Sequence, residues 1–171
     1  SIFGFRINDA NREITITLPR GYTLKECSLD IGAGEVEADA IYAKEGYFQV
    51  GAGKLQIDRL EISERSDYNV GAGSMSIRSL TANNTKIVCG VGEVIITGRL
   101  TGNNEIKCGV GQIKLDLRGD ERDYSYELKS GLGSVNIDSH SYHNVSKRID
   151  NNADNLLVLE CGIGSIDVDF H

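Results

Sequence analysis

The stretch Leu29-Asp30-Ile31-Gly32-Ala33-Gly34-Glu35-Val36-Glu37-Ala38 decides the fold, because the chain repeats it. Nineteen residues later it reads Phe48-Gln49-Val50-Gly51-Ala52-Gly53-Lys54-Leu55-Gln56-Ile57. The tripeptide Gly-apolar-Gly starts at Gly32, Gly51, Gly71, Gly90, Gly109, Gly131 and Gly162, with spacings of 19, 20, 19, 19, 22 and 31 residues. A fixed period of this length marks a repeat architecture. Three and one residues before the first glycine, and one, four and six after it, 34 of 35 positions are apolar, and Ser130 is the exception. Composition alone would give roughly 14. The positions between them are polar, so each repeat is two half-buried strands.

The inward positions are odd before the glycines and even after them, so the buried face changes at the second glycine. This predicts a corner there, with the positive φ that glycine reaches without steric cost. The first glycine is left to close approach of a neighbouring backbone. The alternation places Ala33, Ala52, Ala72, Val91, Val110, Leu132 and Ile163 inward. No stretch carries a helical period, and one coil cannot bury its apolar face alone.

The expected fold is therefore all-β: a single-stranded parallel β-helix, or β-solenoid, of about seven coils. The coils stack about 4.8 Å apart, and right-handed winding is expected from the preferred hand of parallel crossovers. One domain spans 1–171. Residues 1–26, with the alternating run Ile14 to Leu18 and the turn Pro19-Arg20-Gly21, form an N-terminal β cap. Regular coils occupy 27–138, a loop insertion 139–155, and the last coil 156–171. Insertions in solenoids bulge as loops from one face, often the binding face. No cap follows the last coil, so self-association through that coil is expected.

The chain has 171 residues, 20 of them Gly and one Pro, and a net charge of -7. Without a basic stripe, nucleic acid is excluded as a partner. No apolar run is long enough for a membrane-spanning helix. The glycine pairs are followed by strands rather than helix N-termini, which excludes a phosphate cradle. In calcium-binding β-rolls an Asp stands two residues after the second glycine, where this chain has Val36, Leu55 and Met75.

The four cysteines lack zinc spacing. Cys89, Cys108 and Cys161 share one inward column and Cys27 has the same parity, so all four read as buried free thiols. Seven residues after the first glycine stand Asp39, Asp58, Asp116, Asp138 and Asp169, with Arg78 and Thr97 in the other two repeats. Stacked carboxylates would favour a cation, but an Asp opening each turn by bonding its own backbone accounts for them. His140 and His143 lie in the insertion without a third ligand, and His171 is terminal. No catalytic, cofactor-binding or metal-binding residue is assigned, and no cofactor is expected.

The Leu29–Ala38 and Phe48–Ile57 strings, with Ile16-Thr17-Leu18-Pro19 before them, resemble a bacterial adhesin-like β-solenoid family of unknown function. The resemblance covers about Glu13 to Phe170. It implies a parallel solenoid at the cell envelope, often behind an N-terminal signal or membrane segment. The sequence begins with Ser1 rather than Met, so such a segment is expected ahead of it and would supply the membrane contact. The expected function is a non-enzymatic binding or scaffold module that contacts a protein or a surface glycan. The alternatives are a carbohydrate-binding or carbohydrate-cleaving β-helix, or a regulatory protein-interaction module.

Overall fold

The computed structural model describes residues 3–9, 12–19 and 21–171. Among them the chain forms sixteen strands in one curled sheet, and the only helical element is a 3-10 turn at Glu121–Asp123. In chain order the strands are β1 Phe3–Asp9, β2 Arg12–Leu18, β3 Leu24–Ile31, β4 Glu35–Val50, β5 Lys54–Val70, β6 Ser74–Asn83, β7 Thr85–Cys89 and β8 Glu93–Thr101. There follow β9 Asn103–Cys108, β10 Gln112–Leu117, β11 Tyr124–Ser130, β12 Ser134–Ile137, β13 His140–His143, β14 Ser146–Ile149, β15 Asn155–Cys161 and β16 Ser165–Phe170. The coils pair in parallel, one repeat apart: Val36↔Leu55, Leu55↔Met75, Met75↔Val94 and Val94↔Ile113 after the glycines. The same holds before them, with Leu29↔Phe48, Phe48↔Tyr68, Tyr68↔Ile87 and Ile87↔Ile106. The fold is all-β and solenoid-like.

Four of the five apolar columns form the core. Val36, Leu55, Met75, Val94, Ile113, Val135 and Ile166 are all buried, as is the column from Ala38 to Val168. Like residues stack on like, and the rings of Phe48 and Tyr68 are stacked nearly parallel with centroids 5.2 Å apart. Such in-register columns let every coil lend apolar cover to the next.

The glycine corners have a different cause from the predicted one. Of the fourteen glycines in the pairs, only Gly34 has φ in the left-handed region, at 105°. The others, apart from Gly32, are crowded by the neighbouring coil. A Cβ on Gly51, Gly90 or Gly109 would lie 2.8, 3.0 or 2.9 Å from the carbonyl oxygen of the equivalent glycine one coil back. A Cβ on Gly53 would lie 2.6 Å from the Gly34 oxygen, and those on Gly73, Gly92, Gly111, Gly133 and Gly164 would press harder still on their neighbours' oxygens. The oxygens are held there by the ladder, in which the amides of Ala52, Val91, Val110 and Ile163 each donate to a first-glycine carbonyl at 2.8 Å.

The stacking order departs from chain order. β16 pairs β10 on one side and β12 on the other, and β15 lies between β9 and β11. The coil around Gly162 is therefore sixth in the stack, and the coil around Gly131 is seventh. The chain skips a layer after β10, builds the end coil, and returns to fill the gap. Two expectations are corrected. The last coil is not the free end of the stack, because β15 and β16 are each paired on both sides. Residues 139–155 do not bulge from one face: β13 runs antiparallel to β12, and β14 antiparallel to β11. They cover the end coil with two four-residue strands, too short to template further pairing. At the other end β1 and β2 form a hairpin, and β1 pairs antiparallel to β4 from Phe5↔Ala38 to Asn8↔Glu35.

Two outcomes test this architecture. Gly111→Ala is expected to cost about 2–3 kcal/mol by overpacking, whereas Gly32→Ala, with nothing within 4 Å, should stay within about 0.5 kcal/mol of the parent. Urea unfolding measures both. Truncation after Asp154 is expected to strip amide-exchange protection from β11 and β12 as well, because their parallel partners go with it. Protection retained in β11 and β12 would contradict the inserted position of the last coil.

Candidate functional site

Each corner turns between the strand that ends one residue before the glycine pair and the strand that begins just after it. The corner is convex, and the residue between the two glycines points away from the core. Ala33, Ala52, Ala72, Val91, Val110, Leu132 and Ile163 stand at these corners, and the last four are well exposed, contrary to the inward placement expected from alternation. Alternation holds only along a continuous strand, and β3 already stops at Ile31. The parity change could equally be placed at the first glycine, and the run of alanines in three coils was the signal for that choice. Leu132 is 88% exposed, Val91 67%, Ile163 61% and Val110 55%. The flanking glycines have no side chains to screen them. An apolar ridge thus runs along the rod, with one residue per coil.

The outward side of the pre-glycine strands is polar. A shallow groove of about 370 Å³ is lined by Asp30, Tyr47, Gln49, Asp67, Asn69 and Lys86, among others. The Tyr47 hydroxyl donates to Glu45 Oε2 at 2.8 Å, and Arg65 Nε donates to Asp67 at 3.0 Å. Asp30 and Asp67 stand on β3 and β5, two strand spacings apart, about 9–10 Å or more. Further along, Lys86, Glu105, Lys107 and Glu160 form an ion-pair ladder with distances of 3.6, 2.8 and 3.5 Å. The hydrogen bond from Lys107 holds the Glu105 carboxyl below its ordinary range.

Three members of the Asp column have partners on other coils. Asp58 pairs with Arg78 at 3.1 Å and Asp116 with His171 Nδ1 at 2.7 Å. Asp138, at a left-handed φ of 46°, accepts the Phe170 amide at 2.8 Å. Each of these bonds reaches a neighbouring coil and not, as expected, the aspartate's own turn. His140 and His143 lie three apart on β13, and residues three apart on a strand face opposite sides. His143 Nε2 lies 2.9 Å from Ser141 Oγ. Among the described residues no three His, Cys, Asp or Glu side chains gather closely enough to hold one metal ion.

All four cysteines are buried and free. Cys89↔Cys108 and Cys108↔Cys161 are register partners on consecutive coils. Burial pushes the Cys27 thiol up to about 11 and raises that of Cys161. The Cys108 thiol is raised by its hydrogen bond with Cys89 and by burial, and it donates to the Gly111 carbonyl at 3.0 Å. These three thiols stay protonated, and a protonated, enclosed thiol is a poor nucleophile, whereas the hydrogen bond with Cys108 shifts the Cys89 thiol downward.

The repeat, the stacked glycine corners and the solenoid-like sheet agree with a comparison against protein families, in which Toastrack DUF4097 matches residues 1–159. The chain belongs to the Toastrack DUF4097 family. This is a domain family of unknown function, and it brings no adhesin activity with it. Comparison with curated proteins and with solved structures finds no match. In this Toastrack domain the ridge carries four of the exposed large apolar side chains among the described residues.

Leu132→Asp is therefore expected to leave stability within about 0.5 kcal/mol. Val94→Asp, in a buried column, should prevent folding because it buries an unpaired charge. Circular dichroism and thermal melts of both variants check the outward placement of the ridge.

Proposed function

We propose that this Toastrack domain is a non-enzymatic binding and scaffold module of the bacterial cell envelope, wound as a closed right-handed solenoid, which docks through its corner ridge. The observation that carries the reading is Leu132, 88% exposed and continuous with Ile163, Val110 and Val91. A contiguous apolar strip on a polar surface marks an interaction site. A stack of coils suits a scaffold, because each coil is hydrogen-bonded to its neighbours and the ridge side chains keep a fixed spacing. Placement at the envelope follows from the resemblance of the Leu29–Ala38 and Phe48–Ile57 strings to adhesin-like envelope domains.

The test is a photo-cross-linking residue placed at Leu132 in the full-length protein in cells, with the same residue at Lys114 on a flat outward strand as control. A defined adduct from Leu132 but not from Lys114, in the envelope fraction, is the expected result. An absence of adducts from Leu132, or a protein confined to the soluble cytoplasmic fraction, would refute the corresponding half of the proposal.

A further inference from the structure

In stacking order the ridge reads Ala33, Ala52, Ala72, Val91, Val110, Ile163, Leu132. Its side chains grow from a single methyl at the hairpin end to a full leucine at the β13–β14 end. The ridge is about 29 Å long at the strand spacing. The outward column two residues before each glycine pair lies along one flank. In the same order it reads Asp30, Gln49, Asn69, Val88, Lys107, Glu160, Lys129.

We propose that the ridge is the interface of a two-fold dimer in which two copies of this chain lie side by side and antiparallel. This rests on the reading of the ridge as the docking surface and names its occupant. A two-fold axis at the fourth coil sets Val91 against Val91 of the second copy. It then sets Ala72 against Val110, Ala52 against Ile163 and Ala33 against Leu132. Small meets large at every level except the centre, so two tapered ridges make one strip of nearly even thickness. A parallel pair would stack Leu132 on Leu132 at one end and leave Ala33 facing Ala33 across a gap at the other. Side chains that line such a gap have no partner atoms opposite them and forfeit that dispersion attraction.

The flank carries the same symmetry in its charges. The operation that pairs the ridges brings Asp30 against Lys129 of the second copy. It also brings Gln49 against Glu160, Asn69 against Lys107, and Val88 against Val88. No like charges meet in that column. The pattern depends on the inserted coil, because in chain order Asp30 would meet Glu160. A parallel pair would instead face this column with the one on the other flank, setting Asp30 beside Glu35 and Val88 beside Glu93. In the antiparallel pair the other flank brings Glu93 to the axis against its own copy, so that side forms the open rim.

The strip is narrow. With one flank it covers a few hundred Å² per copy, below the roughly 800 Å² per partner of a standard interface. The dimer is accordingly a weak one, forming at micromolar concentrations and above.

Sedimentation of the whole chain over a concentration series should show a monomer–dimer equilibrium, weakened at least tenfold by Leu132→Asp and tightened by Glu93→Gln. Under mild oxidation Val91→Cys should give a disulfide-linked dimer. Leu132→Cys alone should not, but mixed with Ala33→Cys it should. The four native thiols are buried and do not compete. A Leu132→Cys homodimer disulfide would overturn the antiparallel arrangement. A monomer at millimolar concentration would overturn self-pairing. If the Leu132 photo-adduct in cells then contains a different protein, the ridge remains a docking surface. If there is no adduct either, both readings fall.

Discussion

The close approach of coil to coil at the corners is the constraint on which the rest of this structure depends. Strands in a sheet stand about 4.8 Å apart, and at each corner the carbonyl oxygens of one coil occupy the space where the next coil's Cβ atoms would be. Only glycine leaves room, twice per coil. The amide between the two glycines is then free to donate back along the stack, so the hydrogen-bond ladder runs through the corner instead of breaking there. In-register stacking follows, and with it the inward columns, because any slip would separate the glycines from the oxygens they must clear.

The same constraint explains the ridge. A corner without side chains on either side of its central residue cannot hide that residue. Whatever stands there is presented to solvent on a convex edge. In the first three coils it is alanine, which costs little to expose. In the remaining four it is valine, isoleucine or leucine, which folding of the single chain does not reward. Three aspartates of one column and the buried thiols help to hold the stack. Aspartates pair with Arg78 and His171 or cap a strand end, and thiols fill a core column.

The inserted coil gives the rod its closure. A solenoid that ends in chain order exposes its last strand pair. Here the chain builds its terminal coil early, covers it with β13 and β14, and then fills the vacant layer with β15 and β16. Long-range pairing of Gln112 with Ser165 and of Ser134 with Ser165 joins the two sides of that layer. The C-terminal coil thereby ties the end coil to the body of the molecule.

The repeat length, the strands and the four buried columns were legible in the amino-acid sequence, because period-two burial within a strand and a 19-residue period between coils are local properties. The burial of the four free cysteines was legible too, from the inward parity they share. Three features were decided only in three dimensions. Which way the residue between the glycines points depends on where the strand stops, and alternation cannot be carried across a bend. Why the glycines are there depends on an oxygen from a coil 19 or 20 residues away along the chain, 31 for Gly131 and Gly133, or 53 for Gly162 and Gly164. The order of the last two coils depends on which edge each segment finds. Both carry the same motif and would fit either layer by pattern, and only the pairing of β15 and β16 on both sides distinguishes them.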